Sequence, residues 1–472
     1  MTGERARQAE ASHPTPEPWD TPSTAAGTDE DSGSATTADT PGVRWRREPW
    51  LLGLLAAVAI WTLLRGYFDG YRQDAFGTAT PPFVFGWVPK IDPWAAVAVV
   101  VLGLAAVAGP RLLSRRVPPL GAAALLFGIA LAAGLSLNAA RVGTYGWWAI
   151  FDLRPGGSFE AINEYLPGLP TLHWGVGNYL DRFAETVPSQ TVNVAGHPPG
   201  PLLLMHVLGI DTAQGLAALC IAGAALCAPL TYAIGRTVAS EQAARTAGLV
   251  AAVTPVMLLD GFTSYDAVFA AIGAAAAALL LSRRGWVVAL GAVAFGVATL
   301  FSWALLGVGA AVALAVLLRD GWRRALVVGA AAGAGFVGLN AVLVFGWGYD
   351  PVGTLRATEA VYRNSVATVR PYGFWVFGSP VAWGLLLGPF LIAAAARAAL
   401  RRSPVAIAIL SVVLIAALAG FTKAETERIW LIFVPLACVA AAPLLTRRRL
   451  PLVLGALGAQ ALALQLLVET VW

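Results

Sequence analysis

A run of 24 uncharged residues, "TAQGLAALCIAGAALCAPLTYAIG", extends from Thr212 to Gly235 and is followed by Arg236. A mainly apolar run of this length crosses the roughly 30 Å hydrocarbon core of a bilayer as a single α-helix. The whole chain shares this character, since apolar residues make up 57% of its 472 residues and charged residues only 12%. A soluble protein carries about 25% charged residues. The composition therefore predicts an all-α polytopic membrane protein.

Similar apolar runs recur along the chain and predict about 13 transmembrane helices. The predicted spans are 49–67, 93–109, 118–140, 212–235, 244–259, 262–281, 286–301, 303–318, 325–346, 376–396, 404–421, 428–445 and 451–470. The piece 200–210 is too short to span, so we expect a re-entrant or interfacial helix there. All three cysteines fall inside predicted spans, and no disulfide framework is expected in the loops.

The beginning of the chain differs from the rest. Residues 8–43 hold seven acids and no Lys or Arg, together with many Thr, Ser and Pro. Such a segment cannot bury enough apolar surface to fold. We therefore expect a disordered tail over 1–46 and a transmembrane domain over 47–472. Three arginines directly before the first span predict that the tail is cytoplasmic.

The arginines of the connecting segments predict the orientation of the spans. When the chain is threaded in and out from a cytoplasmic N-terminus, 16 arginines fall on one side, which the positive-inside rule makes cytoplasmic. They are Arg111, Arg115, Arg116, Arg236, Arg245, Arg283, Arg284, Arg319, Arg323, Arg324, Arg397, Arg401, Arg402, Arg447, Arg448 and Arg449. This threading places long loops with interfacial helices outside, at 68–92, 141–199 and 347–375. Because the basic residues are spread over membrane connections, the pI of 9.3 does not predict a nucleic-acid partner.

A histidine lies among prolines and glycines in the second of these loops, in the stretch "AGHPPGP" from Ala195 to Pro201. The prolines favour the start of a short helix, whose first N–H groups carry partial positive charge. His197 adds a further donor, so the stretch suits an anionic group such as a lipid phosphate. The alternative is a structural helix start with a histidine at the membrane interface.

A carboxylate precedes this stretch in the same loop, where "EYLPG" begins with Glu164 and Tyr165. A carboxylate held in a loop just after a membrane exit can act as a general base toward a hydroxyl acceptor. Three other acids of the predicted outer loops are alternative bases: Asp69, Asp74 and Asp152.

Further charged residues stand near the outer ends of later spans. Asp266 lies near the start of an apolar span, where a carboxylate is costly unless it is paired or hydrated. The competing interpretation of Asp266 is a helix N-terminal acid favoured by the helix dipole. Lys423 and Arg428 stand at the mouth of another span, and Arg363 and Arg370 lie in the loop 347–375. Because the guanidinium fork matches phosphate geometry, these residues are candidate phosphate ligands.

Taken in chain order, these pieces resemble the GT-C superfamily of membrane glycosyltransferases that use polyprenyl-phosphate sugars. The likeness is to the protein O-mannosyltransferase and aminoarabinose-transferase type, in an actinobacterial form. The matching residues are Glu164-Tyr165, His197-Pro198-Pro199, Thr254-Pro255 with Asp266, and "ERIWLIFVP" from Glu427 to Pro435. The resemblance covers roughly 118–446 and leaves two N-terminal spans extra. The family usually has Asp where this chain has Glu164, and often Lys where it has His197.

The resemblance implies a GT-C-like fold in the cell membrane and an active face on the extracytoplasmic side. It implies transfer of a sugar from a polyprenyl-phosphate donor to a hydroxyl group of an envelope glycan, lipid or protein, with inversion at the anomeric carbon. Glu164 would be the catalytic base, and the substrate-binding residues would be Tyr165, His197, Asp266, Arg363, Arg370, Lys423 and Arg428. No Asp-x-Asp motif lies in a predicted outer loop, so neither a metal nor a cofactor is expected.

A multi-pass transporter or flippase for a lipid-linked or anionic substrate is the alternative from a different functional class. Transporters commonly show internal repeats and charged or broken helices near the membrane midplane. The sequence has no visible internal repeat, and its polar groups gather at one predicted surface. This distribution favours chemistry at the surface over passage through the membrane.

Overall fold

The computed structural model describes residues 48–114 and 116–470. The tail predicted over 1–46 lies outside these residues. Within them the protein is nearly all-α, as the composition predicted, and its one sheet consists of two short strands. Cys220, Cys227 and Cys438 are buried and form no disulfide.

The first half of the described chain contains most of the long helices. It begins with α1 (Pro49–Arg65), the strand β1 (Phe85–Trp87), α2 (Trp94–Leu112) and α3 (Pro119–Ala139). A long segment with short helices follows, with α4 (Val176–Asp181), α5 (Phe183–Thr186), α6 (Val192–Ala195) and α7 (Gly200–Leu208). The next group is α8 (Ala213–Val238), α9 (Glu241–Val253), α10 (Asp266–Leu280), α11 (Gly285–Thr299), α12 (Leu305–Asp320) and α13 (Trp322–Trp347).

The second half alternates loop helices with apolar helices. It contains α14 (Pro351–Asn364), α15 (Tyr372–Leu387), α16 (Pro389–Leu400), α17 (Pro404–Ala419), α18 (Thr426–Ile429), α19 (Val434–Ala441), α20 (Leu450–Leu467) and the strand β2 (Val468–Thr470). Two segments of the described chain are π-helical, Gly66–Tyr71 and Met257–Gly261.

Among the described residues, seven helical segments are long and apolar enough to cross a membrane, or eight if the bent pair α15 and α16 is one span. The seven are Pro49–Tyr71, Trp94–Leu112, Pro119–Ala139, Ala213–Val238, Trp322–Trp347, Thr426–Leu444 and Leu450–Leu467. The runs predicted as spans around α9 to α12 and α17 form helices of only 13 to 16 residues. The structure therefore fits a membrane protein with several spans, while the expected count of thirteen is not confirmed.

The run predicted as one span over 376–396 forms parts of two helices, α15 and α16, which are bent by 109°. The bend lies at Gly388, whose φ of +115° is rarely adopted by a residue with a side chain. Pro389 then starts the second helix, a position at which its missing N–H is not needed. Hydropathy did not reveal the bend, because both halves of the run are apolar.

The connection between α9 and α10 is buried, although the sequence predicted that Asp266 stands near the outer end of a span. Its π-helical segment Met257–Gly261 shifts the backbone hydrogen-bond pattern. Asn138 of α3 donates from Nδ2 to the carbonyl oxygen of Leu258 at 2.8 Å, which fastens the segment to α3. Asp260 and Asp266 are consequently enclosed by protein, and each is only 2% exposed.

The three segments predicted as long outer loops gather at one end of the helix bundle. Between α1 and α2, Phe76 stacks on Phe374 of α15, with ring centroids 4.0 Å apart. The strand β1 pairs antiparallel with β2, so that Trp87 lies opposite Val468. Helix α14 packs against α5. We call this end, formed by the segments 66–93, 140–199 and 348–371, the loop end.

A single arginine joins helices at the opposite end of the bundle. Arg245 of α9 is 3% exposed, and its Nε lies 2.7 Å from Oε1 of Glu241. Nη1 donates to the carbonyl oxygens of Leu113, at 3.3 Å, and Ser114, and Nη2 donates to that of Val117 at 2.7 Å. The guanidinium group thus satisfies carbonyls at and just after the end of α2, and it fixes α9 to the α2–α3 connection.

Replacement of Arg245 by Met should destabilise the protein by about 3 kcal/mol or more, because three carbonyl oxygens and a carboxylate lose a buried cation. Arg283→Met is the control, since Arg283 is 84% exposed and lies 3.7 Å from Asp320. Such an exposed pair contributes at most about 1 kcal/mol. Thermal unfolding midpoints of the two purified variants in detergent measure the difference. Equal midpoints would contradict the assignment of Arg245 as a structural anchor.

Candidate active site at the loop end

Two arginines and two acids form a buried ion-pair network at the loop end. Asp266, the first residue of α10, lies 3.0 Å through Oδ2 from Nη1 of Arg428. Nη2 of Arg428 lies 3.0 Å from Oε2 of Glu425, whose Oε1 lies 2.8 Å from Nη2 of Arg370. Burial alone would raise the pKa of the Glu425 carboxyl, but Arg428 and Arg370 together hold the pKa below its ordinary value. Direct pairing with the two arginines therefore keeps the Glu425 carboxylate ionised.

The turn before α18 has a strained backbone that directs Glu425 between the two arginines. Ala424 and Glu425 have φ values of +63° and +56°, in the left-handed region that residues with side chains rarely adopt. Each such residue costs of the order of 1 kcal/mol or more, and it persists only where surrounding contacts hold it. Those contacts include Nη1 of Arg370, which donates to the carbonyl oxygen of Lys423 at 2.8 Å. Strain of this kind concentrates at functional sites.

The segment between α3 and α8 brings Glu164 to this network. The Glu164 side chain is buried and lies close enough to the Arg428 guanidinium to interact with it electrostatically. Thr191 donates from Oγ1 to the backbone carbonyl oxygen of Glu164 at 2.9 Å, which joins the two ends of the loop. The neighbouring Tyr165 packs its ring against Tyr265, with centroids 4.6 Å apart. Residues far apart in the chain thus converge on one region.

His197 lies in the same region, but the helix start after it differs from the expected anion site. Its ring packs against Phe269 of α10, with centroids 4.9 Å apart, and Nδ1 lies 3.2 Å from Oη of Tyr165. The N–H of Gly200, the first residue of α7, donates to the carbonyl oxygen of Leu300 at 2.9 Å. That N–H is therefore used by the protein itself. The prediction of free N–H groups at the start of this helix is therefore wrong for Gly200.

The four basic residues expected to hold phosphate are not brought together as one set. Arg363 is 73% exposed on α14 and forms a salt bridge of 2.7 Å with Glu359 on the same helix. Lys423 is half-buried, and its Nζ lies 3.5 Å from the carbonyl oxygen of Ala367. Arg370 and Arg428 belong to the ion-pair network. The sequence could not separate Arg363 from Arg370, because both follow apolar or small residues in the same loop.

The three alternative bases lie in different surroundings from Glu164. Asp69 is half-exposed and lies 3.4 Å from Arg65, one turn earlier in the chain. Asp74 is exposed and has a φ of +50°. Asp152 accepts two hydrogen bonds of 2.8 Å from the guanidinium of Arg154, which holds the pKa of its carboxyl well below the ordinary value. None of these three acids takes part in the ion pairs around Arg428 and Glu425.

Two buried acids beside the network were not predicted as site residues. Asp260 and Glu427 are 2% and 4% exposed. Oε1 of Glu427 accepts a hydrogen bond of 3.1 Å from the N–H of Val84. Oδ2 of Asp260 and Oε2 of Glu427 have no hydrogen-bond partner within the described residues. Burial raises the pKa of Asp260 well above its ordinary value, and the negative charge of Glu427 adds to this effect.

A cavity of about 330 Å³ opens between the segment 140–199 and the first turns of α8. Trp147, Trp148, Thr144 and Gln214 line it, together with Ala217 of α8. Ala217 is one helical turn from Cys220, which lies within electrostatic range of Glu164 and Asp266. Aromatic faces with a few hydrogen-bonding side chains are typical of sites for small polar molecules.

The described residues contain no group of three His, Cys, Asp or Glu side chains arranged to hold a metal ion. Comparison with known proteins adds no relative: no family model, no curated protein and no solved structure matches the chain.

Proposed function

We propose that the protein is a membrane glycosyltransferase that moves a sugar from a polyprenyl-phosphate donor to a hydroxyl acceptor at the extracytoplasmic face. The observation that carries the proposal is the convergence of Glu164, Tyr165, His197 and Asp266 on the Arg428 network at the loop end. These are the positions at which the chain resembles the GT-C superfamily. Acids and arginines in one place are groups that such a transfer requires.

The donor phosphate is assigned to the edge of the network formed by Arg370 and Lys423. Both Nη atoms of Arg370 already bind protein oxygens, but its buried Nε has no hydrogen-bond partner within the described residues. A guanidinium N–H that remains available inside a protein favours an anionic ligand. Lys423 lies beside it and adds positive charge. Arg363, which is exposed and paired with Glu359, is left out of this assignment.

Glu164 is assigned as the base in the transfer step. The acceptor hydroxyl oxygen forms a bond to the anomeric carbon, and its proton passes to the Glu164 carboxylate. The bond between the anomeric carbon and the phosphate oxygen breaks, and its electron pair leaves with the polyprenyl phosphate. The resemblance implies inversion at the anomeric carbon. Positive charge at Arg370 and Lys423 stabilises the negative charge on the leaving phosphate as it develops.

The proposed orientation places the N-terminus in the cytoplasm and the loop end outside. Its support is that arginines predicted as cytoplasmic share the end opposite the loop end. Arg245 binds the connection between α2 and α3, and Arg319 donates to the carbonyl oxygen of Thr237 at 3.2 Å. An excess of basic residues at one end of the spans marks the cytoplasmic side.

Replacement of Glu164 by Gln should reduce sugar transfer by about a hundredfold to ten-thousandfold, because the amide cannot take the proton. Binding of the polyprenyl-phosphate sugar should persist, since the base acts on the acceptor. Glu160→Gln is the matched control, because Glu160 lies four residues earlier and its carboxylate accepts a hydrogen bond from Asn163. Transfer and donor binding are measured for both variants in detergent, together with thermal stability.

Normal transfer by a stably folded Glu164→Gln variant would contradict the assignment of the base. Reconstituted vesicles address the transporter alternative. Movement of the lipid-linked sugar across the bilayer without a new glycosidic bond would contradict the glycosyltransferase itself.

Replacement of Arg370 by Lys should weaken donor binding about tenfold to a hundredfold, which is the loss of one charge-assisted hydrogen bond of roughly 1.5–3 kcal/mol. Lysine keeps the positive charge opposite Glu425 but lacks the Nε–H group. Arg363→Lys is the control for the same change at an exposed position, and it should leave affinity unchanged. Binding is titrated with the polyprenyl-phosphate sugar. Equal affinities of the two variants would contradict a phosphate site at Arg370.

A further inference from the structure

The ring nitrogens of His197 can be distinguished by their hydrogen bonds. Nδ1 lies 2.7 Å from the backbone carbonyl oxygen of Asn193, one turn earlier in the chain. A carbonyl oxygen can only accept a hydrogen bond, so the proton must be on Nδ1. In a neutral imidazole the other nitrogen, Nε2, then carries a lone pair and acts as an acceptor. This assignment follows from the heavy-atom contacts.

Neighbouring aromatic residues hold the ring in this orientation. Oη of Tyr165 lies 3.2 Å from Nδ1, and because Nδ1 is the donor, the tyrosine oxygen accepts. Phe269 packs against the imidazole face. Tyr165 is itself buried against Tyr265 and cannot turn away. Nε2 therefore lies on the ring edge that faces away from Asn193, and within the described residues it has no hydrogen-bond partner.

The groups that surround His197 determine its charge. They are Tyr165, which contacts the ring, and Asp266 and Arg428, which act electrostatically. Burial lowers the pKa of His197 below its ordinary value, and Arg428 acts in the same direction, while Asp266 and the bond to Asn193 oppose the shift only in part. The imidazole is consequently neutral near pH 7.

A neutral imidazole with its proton on Nδ1 is a poor ligand for a phosphate diester. Nε2 offers a lone pair, and a phosphate diester at neutral pH offers only lone pairs in return. A hydroxyl group, in contrast, can donate its proton to Nε2. Sugars present several such hydroxyl groups on one rigid ring.

From this geometry we infer that Nε2 of His197 accepts a hydrogen bond from a hydroxyl group of the sugar substrate, so that His197 selects the sugar and does not hold the phosphate. The inference rests on the proposed function and deepens it. Under this inference His197 contacts the carbohydrate, and the phosphate is bound by Arg370 and Lys423 alone. The hydroxyl group belongs either to the transferred sugar or to the acceptor, and binding measurements separate these two sources.

The tautomer can be tested without any activity. The chain has four histidines, so selective ¹⁵N labelling gives few signals, and the His197→Asn variant identifies those of His197. We expect a neutral ring with the proton on Nδ1 at pH 7. A proton on Nε2, or an imidazolium at this pH, would overturn the inference whatever the protein's activity is.

Two substitutions separate the two ring nitrogens. His197→Asn places an amide NH₂ near the position of Nδ1 and keeps a donor to the Asn193 carbonyl, but it removes the acceptor at Nε2. His197→Gln places an amide oxygen near the position of Nε2. We expect His197→Asn to lose about tenfold to a hundredfold in sugar binding, and His197→Gln to recover part of that loss.

The probes are polyprenyl-phosphate sugar, polyprenyl phosphate without sugar, and the hydroxyl acceptor. If the hydroxyl group belongs to the transferred sugar, His197→Asn weakens binding of the polyprenyl-phosphate sugar and leaves binding of polyprenyl phosphate unchanged. If it belongs to the acceptor, binding of both lipids is unchanged and the KM for the acceptor rises. Equal weakening of both lipids would indicate a phosphate contact and overturn the inference, as would unchanged values for all three probes. Failure of the wild-type protein to bind either lipid would instead refute the proposed function. The inferred hydrogen bond from a sugar hydroxyl group to His197 would be refuted with it.

The pH dependence of donor affinity has opposite signs for the two possible roles of His197, acceptor of a sugar hydroxyl and cationic ligand of the phosphate. Protonation of Nε2 removes its lone pair, so affinity for the sugar should fall as the pH drops through the pKa of His197, which lies below the ordinary value for histidine. A cationic phosphate ligand would bind more tightly over the same range. The difference between wild type and His197→Gln isolates this residue from the other titrating groups, and tighter binding by wild type at low pH would contradict the inference.

Discussion

The buried salt bridge between Arg428 and Asp266 is the interaction on which the arrangement of the loop end depends. Removal of two charges from water costs several kcal/mol per ion, and their attraction offsets this cost only when the pairing geometry is good. Arg428 meets this condition with a carboxylate on each Nη atom, from Asp266 and from Glu425. Displacement of the turn 423–428 from α10 would leave a buried charge without its partner. The position of that turn is therefore specified by charge as well as by apolar packing.

Residues next to Asp266 at the start of α10 contact the other parts of the site and fix their positions. Tyr265, next to Asp266, packs on Tyr165 and donates from Oη to the carbonyl oxygen of Pro201 at 3.2 Å. Phe269, about one turn later, packs on His197. The loop that carries the base candidate and the start of α7 are thus both anchored on the helix that supplies Asp266. The two interpretations of Asp266, a paired acid and a helix N-terminal acid, hold at the same time.

The sequence predicted the long apolar helices, but it did not predict which distant charged residues pair. Uncharged runs such as 212–235 predicted the long helices, because burial of backbone polar groups in lipid leaves few other structures. The bend at Gly388 was missed because hydropathy does not depend on φ. Asp266 and Arg428 are 162 residues apart, and no periodicity links them. Asp260 and Glu427 were missed as site residues because their burial results from the π-helical segment and from the cover by Val84.

The distribution of charge in this region matches the demands of the proposed transfer. In the glycoside hydrolases, the sugar carbon becomes positively charged in an oxocarbenium-like transition state, and the departing phosphate in a transfer becomes negatively charged. Glu164, Asp266 and Glu425 supply three carboxylates against the two guanidinium groups of the network, and Asp260 lies within electrostatic range of Asp266, Arg428 and Glu427. The unused donor of Arg370 lies at the edge next to Lys423. Under the proposed function, the Glu164 and Asp266 carboxylates would stabilise the sugar carbon, and Arg370 and Lys423 would stabilise the leaving phosphate. A neutral His197 suits this division, because it adds no positive charge on the side where the sugar carbon itself becomes positive.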